Sequence, residues 1–269
     1  MEYRILGQVE VRHDGKELPL YGAKPRTVLS ALLLADGLVV YDSQLGEHLW
    51  GQKAPATRNA QIYTYISRLR KMLGPHARIT RRSPGYLMQI DETSRFDLDE
   101  FTDQSQRGHD ALHKGDYPQA VSLLSSALSL WRGPALANVS SHLAEAVRPQ
   151  LEEARITAHS GRIEAELALG RHASLVPRLT QLVREYPLQE RFRAQLMTAL
   201  YRCDRQADAL ALYEQGRRML AASLGVDPGA LLHEVMLAIL NSDPRLLGPV
   251  RERSPAVAGR SALPGFAVL

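Results

Sequence analysis

Seven basic side chains and no acidic one fall between Thr57 and Tyr86: Arg58, Arg68, Arg70, Lys71, Arg78, Arg81 and Arg82. Cations at that density attract polyanions. Asn59, Gln61, Thr64, Tyr65 and Thr80 stand among them. Amides and hydroxyls of this kind hydrogen-bond to phosphates and base edges, an amide to adenine and a guanidinium to guanine. Ile62, Ile66, Leu69 and Leu73 recur at helical spacing and form one apolar stripe. A turn of ~100° per residue then puts Ala60, Gln61, Thr64, Ser67, Arg68 and Lys71 on the far side. Gly74 and Pro75 stop the helix. Ile79–Arg82, a Ser83-Pro84-Gly85 turn and Tyr86–Gln89 read as a β-hairpin. A basic helix followed by a basic hairpin suits a DNA reader, and it also suits a solvated surface. Composition alone leaves both readings open.

Other chemistry is sparse. The nine histidines are scattered, and His142 with Glu145 has no second histidine at metal spacing. No serine sits in a Gly-x-Ser-x-Gly elbow. The single cysteine, Cys203, cannot form an internal disulfide and reads as a small buried apolar residue on an Ala/Leu-rich helix. Asn138-Val139-Ser140 matches a glycosylation sequon, but no export signal accompanies it. No Walker-type phosphate loop is present, so no ATPase module is expected, and with so little other chemistry neither an enzyme nor a cofactor is expected.

Residues 1–96 carry 14 Lys and Arg against 9 Asp and Glu, and the remaining residues carry 19 against 20. The excess positive charge thus sits in the first third of the chain, as when one domain meets nucleic acid and another does not. No apolar run approaches the ~18 residues of a membrane span. A cytoplasmic, nucleoid-associated protein is expected.

These basic residues need a scaffold. Tyr3–Leu6, Val9–Arg12 and Leu18–Leu20 read as strands of a small antiparallel sheet, with Asp14-Gly15 as a hairpin turn. Lys24–Ala35 is a helix, with Pro25 in its first turn; Lys24 and Arg26 there face either phosphate or water. Leu38–Tyr41 is a brief extended segment. Asp42 or Ser43 caps a helix that runs to Trp50 and stops at Gly51. The order of sheet, helix, helix, basic helix and hairpin is that of a winged helix-turn-helix. From Asp97 to about Ser242 the chain reads as helical, opening with acidic residues that suit a helix N-terminus. Ala111–Ala120, Leu167–Leu175 and Tyr201–Tyr213 resemble one another. The second and third lie one tetratricopeptide period apart, and extra residues around Trp131–Ser141 separate the first from the second. From Asp243 onward composition suggests a flexible tail.

Leu49-Trp50-Gly51, Tyr65–Lys71 with Leu73, and Arg82-x-x-Gly85-Tyr86 resemble the DNA-binding domain of OmpR-type response regulators, here without a receiver domain ahead of it. With a helical domain behind, containing Trp131-Arg132-Gly133 and Leu224–Pro228, the chain resembles the SARP family, the antibiotic regulatory proteins of actinomycetes. The resemblance covers about residues 1–242. It implies an α+β winged helix over 1–92, an all-α tetratricopeptide-like transcriptional activation domain over 97–242 and a tail over 243–269. It further implies DNA contacts at Asn59, Gln61, Tyr65, Arg68, Arg70, Thr80 and Arg82, to which Thr64 and Lys71 are added from the helical wheel and Arg58 from the basic run. Tyr65 lies near the apolar stripe, so packing is its other reading, and Tyr63 is equally ambiguous. Trp50 and Lys53 are candidates for polymerase contact, with Trp50 alternatively capping the core. The implied function is a transcriptional activator with two protomers side by side on direct repeats of double-stranded DNA, recruiting RNA polymerase, including the sigma subunit. The targets implied are antibiotic or other secondary-metabolite genes. A protein-binding adaptor or a repressor built on the same winged helix is the alternative, and no membrane partner is expected.

Overall fold

Glycine and aspartate turns cut the first third of the chain into short elements. In the computed structural model, which describes residues 1–247, these are β1 (Glu2–Arg4), β2 (Glu10–His13), β3 (Lys16–Glu17), α1 (Ala23–Leu34), β4 (Val40–Tyr41) and α2 (Asp42–Trp50). Next come α3 (Arg58–Leu73), β5 (Ala77–Arg82), β6 (Gly85–Ile90) and β7 (Arg95–Phe96). Asp14 and Gly15 turn β2 back onto β3 with positive φ. The third strand is Lys16–Glu17, not Leu18–Leu20, because pairing starts directly at that two-residue turn.

The N-terminal sheet is mixed rather than antiparallel. Its order is β3-β2-β1-β7, and β7 runs parallel to β1. A second sheet, β4-β6-β5, carries the hairpin that forms the wing, and the brief extended segment before α2 is its third strand. Val28, Leu29 and Leu32 of α1, Leu45 and Leu49 of α2 and the α3 stripe are buried together in one core. Tyr41, not Asp42 or Ser43, is the residue before the first turn of α2, and its N–H donates to Gln44 Oε1 at 3.0 Å.

The rest is helical: α4 (Asp97–His113), α5 (Tyr117–Ser129), α6 (Ser141–Ala168), α7 (His172–Glu185), α8 (Glu190–Tyr201), α9 (Gln206–Leu224) and α10 (Ala230–Leu240). The three similar stretches are helix-turn-helix corners. Gly115 and Gly170 turn two of them in the left-handed region, and Asp204, at φ 60°, takes that place in the third. Ala120, Leu175 and Ala209 are the matching buried residues just beyond each corner. This is a tetratricopeptide-like arrangement of helix pairs. Cys203 lies in the third corner, half-buried, rather than within a helix. Pro244–Leu247 form a 3-10 turn, and the rest of the expected tail lies outside the described residues.

The chain divides into two compact units, Met1–Glu166 and Leu167–Leu269, the second described to residue 247. In the second, α7 packs on α8 and α8 on α9, and α10 returns chiefly onto α8. Gly216 leaves room for Arg193, whose Nη1 donates to the Leu212 carbonyl at 3.2 Å. In the first unit the winged helix is stitched to α4, α5 and the start of α6.

Asp97 does much of this stitching. In the sequence it is one of the acidic residues suiting a helix N-terminus, yet only 5% of it is exposed. Its carboxylate accepts the Ile5 and Leu6 N–H groups at 2.9–3.1 Å and Arg132 Nη2 at 2.9 Å. Burial lifts its carboxyl above the usual range, and these donors pull it back only in part. The stretch between α5 and α6 continues the seam. The N–H groups of Arg132, Leu136 and Ala137 donate to the carbonyls of Leu6, Ile5 and Gly7. Asn138 of the sequon is internal, its Oδ1 accepting the Val9 N–H at 2.7 Å. Trp131 is buried edge-on against Phe101, with the Arg155 guanidinium 4.8 Å over its ring.

Candidate nucleic-acid interface

Helix α3 owes its placement to four residues. Ile62, Ile66, Leu69 and Leu73 are each at most 1% exposed and seat it on α1 and α2. Gly51 and Gly74, both with positive φ, end the helices on either side of the turn. The opposite stripe, Ala60, Thr64, Ser67 and Lys71, is exposed. Two flanking stripes complete the surface. One carries Gln61, Tyr65 and Arg68, and the other carries Asn59, Tyr63 and Arg70 toward the wing.

These stripes differ in freedom. On the first flank, Gln61 Nε2 donates to Thr57 Oγ1 at 3.0 Å, and the Tyr65 hydroxyl donates to Gln61 Oε1 at 3.3 Å. The amide is held in place yet keeps a second N–H and a second lone pair, enough for a bidentate contact to a base. Tyr65 is half-buried against the core, so it packs and orients Gln61 at once. On the wing flank, Arg70 Nε donates to the Ile79 carbonyl at 2.9 Å and leaves its two terminal nitrogens outward. The Thr64 hydroxyl turns back to the Ala60 carbonyl at 2.9 Å. Arg68, Lys71 and Arg82 have no ion-pair partner among the described residues. Arg58 is exposed but set apart, its Cδ 3.8 Å from where a Cβ on Gly46 of α2 would lie.

The wing alternates as a strand must. Ala77 and Ile79 are buried, which puts Arg81 on the same inner face and Arg78, Thr80 and Arg82 on the other. Arg81, counted with the free cations in the sequence, is therefore engaged. It pairs in bidentate fashion with Asp42 and stacks 4.6 Å over Tyr86. Asp42, Asn59, Tyr63, Arg70, Arg81 and Tyr86 line a cavity of about 330 Å³ between α3 and the wing. Tyr63, 62% exposed, belongs to this surface. Its position on the wheel beside Asn59 and Arg70 was the available signal.

Trp50 and Lys53 occupy the turn between α2 and α3. Trp50 is half-buried against the core with Lys24 Nζ 5.1 Å over its ring, so Lys24 faces the indole. Lys53 is exposed. Gly51 passes so close to His142 of α6 that a Cβ would lie 2.7 Å from its ring. The Ser140 hydroxyl donates to the His48 carbonyl, and burial lowers the His48 imidazole below its usual value. This loop is thus braced by the first turn of α6.

No helix among the described residues is long and apolar enough to cross a membrane.

Comparison with known proteins matches both parts of the chain. A family model described as the bacterial transcriptional activator domain matches residues 96–240. A second, described as transcriptional regulatory protein, C terminal, matches residues 15–88. Regulatory protein AfsR of Streptomyces griseus is 39% identical over 255 residues, covering 95% of this chain and 26% of AfsR. The chain therefore spans about a quarter of that relative. Regulatory protein DnrI of Streptomyces peucetius is 34% identical, covering 91% of this chain and 93% of DnrI. Among solved structures, Mycobacterium tuberculosis EmbR in complex with a low affinity phosphopeptide superposes with a TM-score of 0.85 at 33% identity. That match covers 90% of this chain and 65% of EmbR.

Proposed function

The chain belongs to the SARP family of transcriptional regulators, and from that premise we propose that it activates transcription by docking α3 and the wing on direct repeats of double-stranded DNA and recruiting RNA polymerase. The observation that carries this reading is the surface running from Gln61 and Arg68 across Thr64 and Lys71 to Asn59, Tyr63 and Arg70. It has unpaired cations, a pre-set amide at Gln61 and no acidic residue from 57 to 86. In a duplex major groove, Gln61 and Asn59 suit adenine and Arg68 suits guanine. Lys71 and Arg70 suit phosphates, and Arg82 with Thr80 on the outer wing face suits the adjacent minor groove or its phosphates.

Two protomers on repeats about one helical turn apart (~10–11 bp) lie on the same DNA face, which leaves their helical domains free to meet. Trp50, Lys53 and the loop braced by α6 are the surface proposed for the sigma subunit. The SARP resemblance favours secondary-metabolite genes as targets.

Arg68→Ala and Arg82→Ala test the reading. Each is expected to weaken binding to a duplex selected by the wild-type chain by about 1–3 kcal/mol while leaving the far-ultraviolet circular dichroism unchanged. Both are also expected to abolish stimulated transcription with purified polymerase holoenzyme on a template bearing that duplex upstream of a promoter. Unchanged binding by both variants sinks the DNA interface. Transcription repressed by the wild-type chain on that template sinks the activator reading alone.

A further inference from the structure

Arg81 sits in the most basic run of the chain and is exposed, yet its guanidinium is already engaged. Nη1 and Nη2 donate to the two carboxylate oxygens of Asp42 at 2.6 and 2.7 Å. The same guanidinium stacks on Tyr86, its antiparallel neighbour across the hairpin. Backbone contacts converge on the same spot. The Asp42 N–H donates to the Pro84 carbonyl at 2.9 Å, and Tyr41 pairs with Gly85. A Cβ on Gly85 would fall 2.3 Å from the Val40 carbonyl oxygen, so the wing's root lies flush on β4. On the other side, Arg70 ties α3 to the Ile79 carbonyl. Arg82, one residue on, faces away from all of this and is unpaired.

A carboxylate beside the DNA costs affinity unless it does something else. A bidentate arginine–carboxylate pair supplies geometric specificity even where its contribution to stability is small. We propose that Asp42 and Arg81 are positioning residues that lock the wing's angle against α2 so that Arg82 reaches DNA, and that Arg81 is not itself a phosphate ligand. This rests on the DNA-binding reading above. It makes α2, whose C-terminal end carries the loop proposed for polymerase, the element that also sets the wing.

The two roles for Arg81 predict opposite signs for one substitution. Affinity is measured by fluorescence anisotropy on a labelled duplex recovered from a random library with the full-length wild-type chain. The clamp predicts that Asp42→Ala weakens binding about tenfold although it removes a negative charge. Arg81→Ala does the same, the double variant is no worse than either, and Asp42→Ala has no effect when Arg82 is already alanine. Thermal melts report folding, and Asp42→Asn serves if Asp42→Ala does not fold. If Asp42→Ala binds as tightly as wild type or tighter, while Arg81→Ala weakens binding and shallows the salt slope by about 1, Arg81 is a phosphate ligand and the clamp is overturned. A wild-type chain that enriches no duplex removes the DNA reading itself, and the clamp's role with it.

Discussion

His159 lies on α6 with Arg155 and Arg162 a turn away on either side. Burial first, then those two guanidiniums, hold its imidazole down at about 4 against an ordinary value of 6.5. The folded chain therefore binds fewer protons than the unfolded chain between those pH values. The neutral ring supports the fold fully above pH 6.5, and that support drains as pH falls toward 4, by up to about 3 kcal/mol. Asp97 works the other way, since burial raises its carboxyl. Comparing wild type with His159→Asn at each pH cancels that contribution. Urea midpoints of the wild type are expected to fall more steeply than those of the variant from pH 6.5 to 4.5, and parallel curves contradict the assignment. The same scale shows what single residues reveal. Arg68 and Lys71 could be placed outward from the 3.6-residue period alone. Arg81 could have been placed on the Ile79 face of the wing from the period of two, but a run of cations reads as one surface until a partner is found. That partner, Asp42, is 39 residues away, and sequence spacing carries no trace of it. Asp97 misleads for a related reason: an acid in a first turn is a common solvated feature, and its burial depends on β1 and on Arg132, 35 residues on.

At the scale of elements, the helices and the wing were legible because each carries an apolar stripe of its own period. The Trp131–Ser140 stretch was not, because it has no period at all. It reads as an insertion between repeats, and its function lies in backbone groups. It supplies partners to the carbonyls of Ile5, Leu6 and Gly7 and, through Asn138, to the Val9 N–H. Asp97 takes the Ile5 and Leu6 N–H groups. At roughly 1 kcal/mol each, these bonds sum to a sizeable share of a domain's net stability of about 5–15 kcal/mol. A fragment of residues 1–96 loses all of them and exposes Ile5, Leu6 and Val9. It is expected to melt without a cooperative transition, whereas a fragment of residues 1–166 melts cooperatively. Differential scanning calorimetry decides this, and a sharp transition in the shorter fragment near that of the longer one shows the seam to be dispensable.

At the scale of the molecule, charge and helix pairs divide the labour. The basic excess lies in residues 1–96, and the helix pairs beyond them carry little net charge. The boundary between the two compact units falls in the last turn of α6 rather than near residue 96, so the unit that holds the proposed DNA-reading surface also includes the first helix pair. Neither the composition nor the repeat spacing indicates that division, because it depends on contacts between residues far apart in sequence. The central claim is that this unit meets the phosphates of a duplex through α3 and the wing. It is tested most directly by anisotropy with the selected duplex over a range of salt concentrations. With roughly six phosphate contacts per protomer, log affinity against log salt is expected to fall with a slope of about −5 per protomer; a nearly flat line would contradict the account.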